Sequence, residues 1–324
     1  MKNLIYIVLF TFELISTSCS SGNNSVPDWY WKNKNNQQDS IMTTLGWANV
    51  SSNYGTLPSY INVYNASSLL SKKAVAYVAI ADMSKAKFSV LGDSTGYRLL
   101  SDFYSTTSSS IVMNGGFFYN GVSLSLICRD GKIICPNNQV DSEDWKTLYY
   151  PTRGAFGLIN GTYTTTWTYT TSDKITYSYP EPAENKYGNT PLPVPSDTFP
   201  KGATLFNSTI AIGGGPVLIK NKVIVNTYQD ELLDIDPTTY QPRSAIGITS
   251  DNKMIFFICE GRDMTPNVDG FATGDVATIM SSLGCIEAMN LDGGGSSCML
   301  VNGKETIKPS DNSDRKVVSA VSLE

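Results

Sequence analysis

Four apolar stretches of this chain run into glycine beside a residue able to do chemistry. They are Ile111-Val-Met-Asn114-Gly-Gly-Phe-Phe118, Thr209-Ile-Ala-Ile-Gly213-Gly-Gly-Pro216, Met254-Ile-Phe-Phe-Ile-Cys-Glu260-Gly-Arg262 and Ile286-Glu-Ala-Met-Asn290-Leu-Asp292-Gly-Gly-Gly-Ser-Ser297. If each stretch is a strand, alternation puts Asn290 and Asp292 on one face, and likewise Glu260 and Arg262. Glycines that follow buried strands let backbone N–H groups approach a ligand closely, as anion-binding nests do. A single such turn is ordinary chain reversal; four in one chain point to a shared cleft.

The composition narrows the chemistry further. The chain has no histidine, which excludes a Ser-His-Asp triad, a Cys-His pair and most catalytic zinc sites. Acid–base work must fall to Asp, Glu, Tyr, Lys or Cys. Neither Gly-Gly-Gly run continues as a P-loop or fits the dinucleotide fingerprint, and no G-x-S-x-G elbow or EF-hand loop occurs. Asp292 and Glu260 with backbone carbonyls would suit Ca²⁺ or Mg²⁺ rather than zinc, although no spacing requires a cofactor. A net charge of −5 with no Lys/Arg cluster argues against a nucleic-acid partner.

The elements that must position these turns are mostly strands. Asp130-Gly131, Asn160-Gly161, Asn221-Lys222 and Asn302-Gly303 each sit between apolar runs and predict tight hairpins. Strands are expected at 61–64, 74–82, 86–91, 244–249 and 254–259, and short helices at 66–73 and 97–104. Residues 164–179 alternate Trp, Tyr and Ile with Thr, which suits a hairpin half exposed to solvent, and the proline-rich 180–203 reads as a long loop. Residues 274–283 place Val276, Ile279, Met280 and Leu283 on one helical stripe, ended by Gly284. The fold class expected is α+β: a large, mostly antiparallel twisted sheet with a few helices packed on it.

Residues 1–22 read as an export signal, with Lys2, an apolar run from Leu4 to Ile15, and small residues before Cys19. The pattern is that of a bacterial lipoprotein, with Cys19 as the lipidation site and the cell envelope as the location; ordinary secretion is the alternative. The N-terminal lipid would be the chain's contact with a membrane, since no other stretch is long and apolar enough to span. Residues 23–58 read as a polar lead-in and 59–324 as the working domain. The five remaining cysteines are Cys128, Cys135, Cys259, Cys285 and Cys298, an odd number without metal or redox spacing. Cys128 and Cys135 share one predicted hairpin and are the pair to consider for a bridge.

The ordered set of motifs resembles the phosphodiester glycosidase family. It comprises Asn114-Gly-Gly-Phe-Phe118, Gly213-Gly-Gly-Pro216, Pro242-Arg-Ser-Ala-Ile-Gly247, Glu260-Gly-Arg262, the helix near 272–284, Asn290 to Ser297, Asn302-Gly303-Lys304, and Pro309-Ser-Asp311 through Arg315. Gln241 and Glu260 depart from it, standing where His and Asp are frequent in the family. The resemblance implies cleavage between a sugar's anomeric carbon and a phosphate oxygen, in a carbohydrate phosphodiester of envelope or extracellular glycans. On this reading Asp292 and Glu260 share the acid, base or nucleophile roles. Arg243, and then Arg315, match phosphate with a planar fork. Asn114 and Asn290 orient sugar hydroxyls or Asp292. Gly115, Gly116, Gly214, Gly215, Arg262, Gly293, Gly294, Gly295, Ser296 and Ser297 supply further donors to substrate. The competing reading is a non-catalytic surface glycan-binding lipoprotein, with Trp167, Tyr169, Tyr177 and Tyr179 as sugar-stacking surfaces.

Overall fold

The structure, a computed structural model, describes residues 28–235 and 237–324, with side chains from residue 36 onward. The export signal and Cys19 lie outside the described residues. The described elements begin with α1 (Asp28–Thr44), β1 (Ala48–Asn49), a 3₁₀ turn (Ser51–Tyr54), β2 (Ile61–Leu69), β3 (Lys72–Asp82), β4 (Phe88–Gly92), α2 (Leu100–Ser105) and β5 (Ile111–Asn114). They continue with β6 (Phe118–Tyr119), β7 (Val122–Ser123), β8 (Ile127–Arg129), β9 (Lys132–Cys135), β10 (Arg153–Ile159), β11 (Thr162–Thr170), β12 (Thr176–Tyr179) and β13 (Thr204–Leu205). Then come β14 (Ser208–Gly213), β15 (Val217–Lys220), β16 (Val223–Ile224), β17 (Arg243–Thr249), β18 (Lys253–Cys259), α3 (Thr273–Ser282) and β19 (Cys285–Asn290). A 3₁₀ turn (Gly294–Ser296), β20 (Met299–Val301), β21 (Lys304–Glu305) and β22 (Ser319–Leu323) complete the described elements.

The α+β expectation holds, but the strands divide among several sheets instead of forming a single large one. One sheet has eight strands in the order β1-β2-β3-β18-β17-β19-β15-β16, a second has seven, β13-β12-β11-β10-β14-β8-β9, and a third has five, β21-β20-β5-β22-β4. The central strand β18 shows why. Its unbroken run Met254-Ile-Phe-Phe-Ile-Cys259 buries both faces, as a strand covered on two sides must. Met254, Phe256 and Ile258 face the core shared with the other two sheets. Ile255, Phe257 and Cys259 face a second core. That second core is closed by α3, whose stripe Val276, Ala277, Ile279 and Met280 packs on the eight-stranded sheet. Gly247 of β17 lies beneath it: a Cβ there would come 2.8 Å from Cys285 Sγ and 2.9 Å from Met280 Cε. In the shared core Phe88 of β4 meets Phe156 and Tyr163 of the seven-stranded sheet and Phe256 of the eight-stranded sheet, edge-on, with ring centroids 6.1–6.3 Å apart.

Four expectations are corrected. Residues 66–73 form the β2–β3 hairpin, not a helix; its turn residues Leu70 and Ser71 take φ of 50° and 60°, a left-handed turn without the usual Asn-Gly signature. Residues 28–44 of the polar lead-in are helical as α1. The β11–β12 hairpin is not half exposed: Trp167, Tyr169 and Tyr179 are buried, and the 180–203 loop covers it, with Tyr179 Oη donating to Ser196 O at 2.9 Å. Those rings offer no sugar-stacking surface. Cys128 and Cys135 are both free thiols, because a bulge sets Cys128 opposite Ile133 and Cys135 opposite Ile127.

Candidate active site

Strand order brings the predicted residues to one place. In the eight-stranded sheet β17 lies between β18 and β19, with Arg243 opposite Cys259 and Ala245 opposite Asn290. The chain therefore leaves this sheet edge at Glu260, at Pro242–Arg243 and at Asn290–Asp292 as three adjacent segments. The five-stranded sheet contributes Asn114, the last residue of β5, which is fully buried. Its Nδ2 donates to Asp292 O at 2.7 Å and Gly115 O at 3.3 Å. Its Oδ1 accepts from Ser244 Oγ at 2.7 Å and from the Cys298 N–H at 3.2 Å. Asn114 thus pins the 292–298 turn to both sheets and positions Asp292; all of these contacts are within the protein.

Asp292 is the group with altered acidity. Its carboxyl is only partly open to solvent. Burial pushes its pKa up to about 6, against the opposing pull of the Ser296 hydroxyl, the Arg315 guanidinium and the Gly293 N–H. Two cations stand at this turn. Arg315 donates from Nε to Asp311 Oδ2 at 3.0 Å and from Nη1 to Ser296 Oγ at 3.5 Å. Arg262, at φ +58°, donates from Nε to Gln241 Oε1 at 2.7 Å and from Nη1 to Asp311 Oδ1 at 3.2 Å. Their side chains remain 41% and 42% exposed, so both forks can be reached from outside. Gln241, one of the departures from the family pattern, is here the acceptor that orients Arg262. Gly294 and Gly295 make room for these arginines: a Cβ on Gly295 would collide with Asp311 Oδ2 and Arg315 Nη2.

Several predicted donors are spent inside the protein. Arg243 is buried and donates from Nε to Phe271 O at 3.0 Å and from Nη2 to Thr239 O at 2.9 Å, so the accessible forks belong to Arg315 and Arg262. The N–H groups of Gly115 and Gly116 go to Ser319 O and Ser319 Oγ at 2.9 and 3.2 Å. Those of Gly214, Gly215 and Gly294 go to Gly154 O, Asn290 O and Pro242 O at 3.2, 2.8 and 2.8 Å. These glycines permit chain to approach chain, not chain to approach ligand. Three other predicted residues carry buried atoms that lack a hydrogen-bond partner among the described residues: Glu260 Oε2, Asn290 Oδ1 and Ser297 Oγ. Such atoms cost about 1–3 kcal/mol each, and three of the five found in the described residues lie at this site. Glu260 is otherwise held by the Lys308 N–H at 2.9 Å to Oε1, and Asn290 Nδ2 donates to Gly215 O at 2.8 Å. Among the described residues no group of three or more Cys, Asp and Glu side chains comes together as metal ligands.

Two cavities border these turns, separated by Phe118. One, of about 460 Å³, is lined by Tyr97, Tyr119, Asn120, Arg315 and Lys316. The other, of about 240 Å³, is lined by Phe117, Asn137, Arg153, Gly214 and Asp234 among others. A larger cavity of about 510 Å³ beside Tyr187 and Tyr228 touches none of the predicted site residues. Tyr97, Tyr119, Lys316, Arg153 and Asp234 were not singled out from the sequence, because none stands in a glycine-rich turn. Glu231 was missed for the same reason. It is completely buried, which pushes its pKa up. It accepts from the Gly154 N–H at 2.8 Å, the Val217 N–H at 2.8 Å, Trp167 Nε1 at 3.1 Å and Thr227 Oγ1 at 2.5 Å. Glu231 thereby fixes the Gly213–Pro216 turn from below.

The phosphodiester glycosidase family matches residues 107–324. The chain belongs to that family. Its fold is similar to the catalytic domain of zebrafish N-acetylglucosamine-1-phosphodiester alpha-N-acetylglucosaminidase, described as auto-inhibited by its pro-peptide, with a TM-score of 0.54 and 18% identity over 86% of this chain and 81% of that one. It is also similar to a hypothetical protein from Synechocystis, with a TM-score of 0.55 and 16% identity over 83% of this chain and 64% of that one. At these identities the likeness is one of fold. Among curated proteins, the SPbeta prophage-derived uncharacterized protein YomE of Bacillus subtilis is 36% identical over 88 residues, 27% of this chain and 13% of that protein.

Proposed function

We propose that the chain is a hydrolase that cleaves the glycosidic bond of sugar-1-phosphodiesters, releasing free sugar and a phosphomonoester. The observation that carries this reading is the Asp292 carboxyl, its pKa pushed up to about 6 and facing Arg315, on a turn that Arg262 also abuts at Gly294, both guanidinium groups being accessible. A phosphomonoester leaves as a stable anion, so a strong general acid is unnecessary. Arg315 and Arg262 stabilise the charge that develops on the departing phosphate. Asp292 serves as a carboxylate toward the oxocarbenium-like centre, as nucleophile or as base for water, and either role requires its ionised form. Glu260, buried at the end of β18 across β17 from the Asp292 turn and with one oxygen unpartnered, is the second carboxyl that could face the sugar. Asn114 holds Asp292 in place. Family membership supports the reaction class, and N-acetylglucosamine-1-phosphodiester is the first substrate to try because the zebrafish relative is named for it. Action on envelope or extracellular glycans, with Cys19 lipidated, belongs to the same proposal. The glycan-binding alternative loses three of its four proposed rings, since Trp167, Tyr169 and Tyr179 are buried and only Tyr177 is half-buried.

The test is turnover by the chain lacking residues 1–22 on a panel of α- and β-linked sugar-1-phosphodiesters, followed by NMR. Asp292→Ala should lower kcat/KM by ~10³-fold or more, and a chelator should leave the wild-type rate unchanged. For wild type, kcat/KM should fall about tenfold per pH unit below a pKa near 6. A rate that rises as pH drops through that value would overturn the carboxylate role. No turnover across the panel from folded protein would overturn the reaction class.

A further inference from the structure

The two arginines at the site are joined by one carboxylate. Asp311 Oδ1 accepts from Arg262 Nη1 at 3.2 Å, and Asp311 Oδ2 accepts from Arg315 Nε at 3.0 Å and from Arg315 Nη2. Ser310 Oγ accepts from Arg262 Nη1 at 3.3 Å beside it. Asp311 lies on the bare face of Gly295, where a Cβ would collide with it, so a negative charge is built into the turn that receives the departing phosphate. That charge is held in place. The segment 309–316 has no helix or strand, but it is tied at both ends. Before it, the Lys308 N–H donates to Glu260 Oε1 at 2.9 Å and Lys308 Nζ to Thr265 Oγ1 at 3.1 Å. After it, Val317 and Arg98 exchange backbone hydrogen bonds of 2.8 and 3.0 Å. The segment's other acid, Asp314, faces Glu305 instead. An arginine pair can hold phosphate unaided; what the carboxylate adds is a limit on charge. Asp311 cancels one of the two guanidinium charges, which leaves a single positive charge for a ligand. A phosphodiester carries one negative charge, whereas a phosphomonoester carries about two above its second pKa of about 6. Coulomb energy is linear in charge, so a fixed carboxylate repels the monoester about twice as strongly as the diester. Asp292, facing Arg315, adds to the same preference once ionised.

We propose that Asp311 is a specificity-determining residue, which tunes the arginine pair to one negative charge and expels the doubly charged monoester once the glycosidic bond is broken. The proposal rests on the reaction class given above, but its test needs no turnover, so the two fail separately: cleavage of the diester panel decides the reaction class, and binding decides the role of Asp311. Methyl phosphate and dimethyl phosphate have no glycosidic bond and report the arginine pair alone. Each is titrated by NMR into wild type and Asp311→Asn, which keeps one acceptor oxygen and the shape of the side chain. At pH 8 the substitution should tighten methyl phosphate about tenfold and dimethyl phosphate only about threefold, the square root expected for half the charge. At pH 5, where methyl phosphate also carries about one charge, both should tighten about threefold. A carboxylate that merely holds the arginines in position would give the opposite sign, since its loss would weaken both ligands. Weaker or unchanged binding in Asp311→Asn, equal tightening of the two ligands at pH 8, or no binding by either protein would overturn the proposal.

Discussion

At the residue scale, the Asn290–Ser297 turn combines a costly carboxylate with glycines that leave room for arginine. Asp292 has a folded-state pKa of about 6 against an ordinary 3.8. The folded protein therefore holds an extra proton between those values. The site is unpenalised below about pH 4; the penalty accrues as pH rises from about 4 to 6 and stays at its full value above that. Asp292→Asn should raise stability by roughly 1–3 kcal/mol at pH 7.5 and by almost nothing at pH 4, measured by denaturant unfolding. Gly295→Ala acts differently. The atoms its new Cβ meets first are the flexible ends of Asp311 and Arg315, so the fold should survive with Tm within about 4 °C, while displacement of Arg315 lowers kcat/KM about tenfold or more. The placement was partly legible: Asp292, Asn290, Glu260 and Arg315 fall at or beside the same group of strand ends. The use of each donor was not. A sequence shows that Arg243 has a planar fork, but not that Phe271 O and Thr239 O will occupy it.

At the element scale, hairpins with Asn-Gly or Asp-Gly centres were readable because few residues accept φ > 0 at both positions. The Leu70–Ser71 turn hid because neither residue announces it. The helix α3 was readable because its stripe and its terminal Gly284, at φ +85°, agree. What holds the Gly213–Pro216 turn to its neighbours was invisible. Glu231 comes from an irregular loop, and its donors, from Gly154 to Thr227, are spread widely along the chain. Glu231→Gln substitutes an amide that must point its own N–H groups at donors. It should cost about 2–4 kcal/mol in urea unfolding, more than a typical surface change by several-fold.

At the scale of the whole molecule, binary patterning distinguished buried from exposed faces but could not assign strands to sheets, because those pairings join residues far apart in sequence. Asn290, which leads into Asp292, and Asn114 come from different sheets, and their convergence brings the candidate site together. Phe88, itself in the five-stranded sheet, touches rings of both other sheets. Phe88→Ala should therefore cost about 3–5 kcal/mol and lower the midpoint of a single unfolding transition. Separate melting of the sheets in that variant would show that they are not one cooperative unit.

The order of the five-stranded sheet sets a constraint on biosynthesis. Asn114 sits on β5, whose neighbours are β20 and β22, and β22 also pairs with β4. Strands β4 and β5 are thus translated long before Ser319–Leu323, which must insert between them. Until β22 leaves the ribosome, the nascent chain carries two unpaired strand edges and an unfinished floor under Asp292. The site can be assembled only after translation has passed β22, and the interval before then is when chaperones would find these edges open.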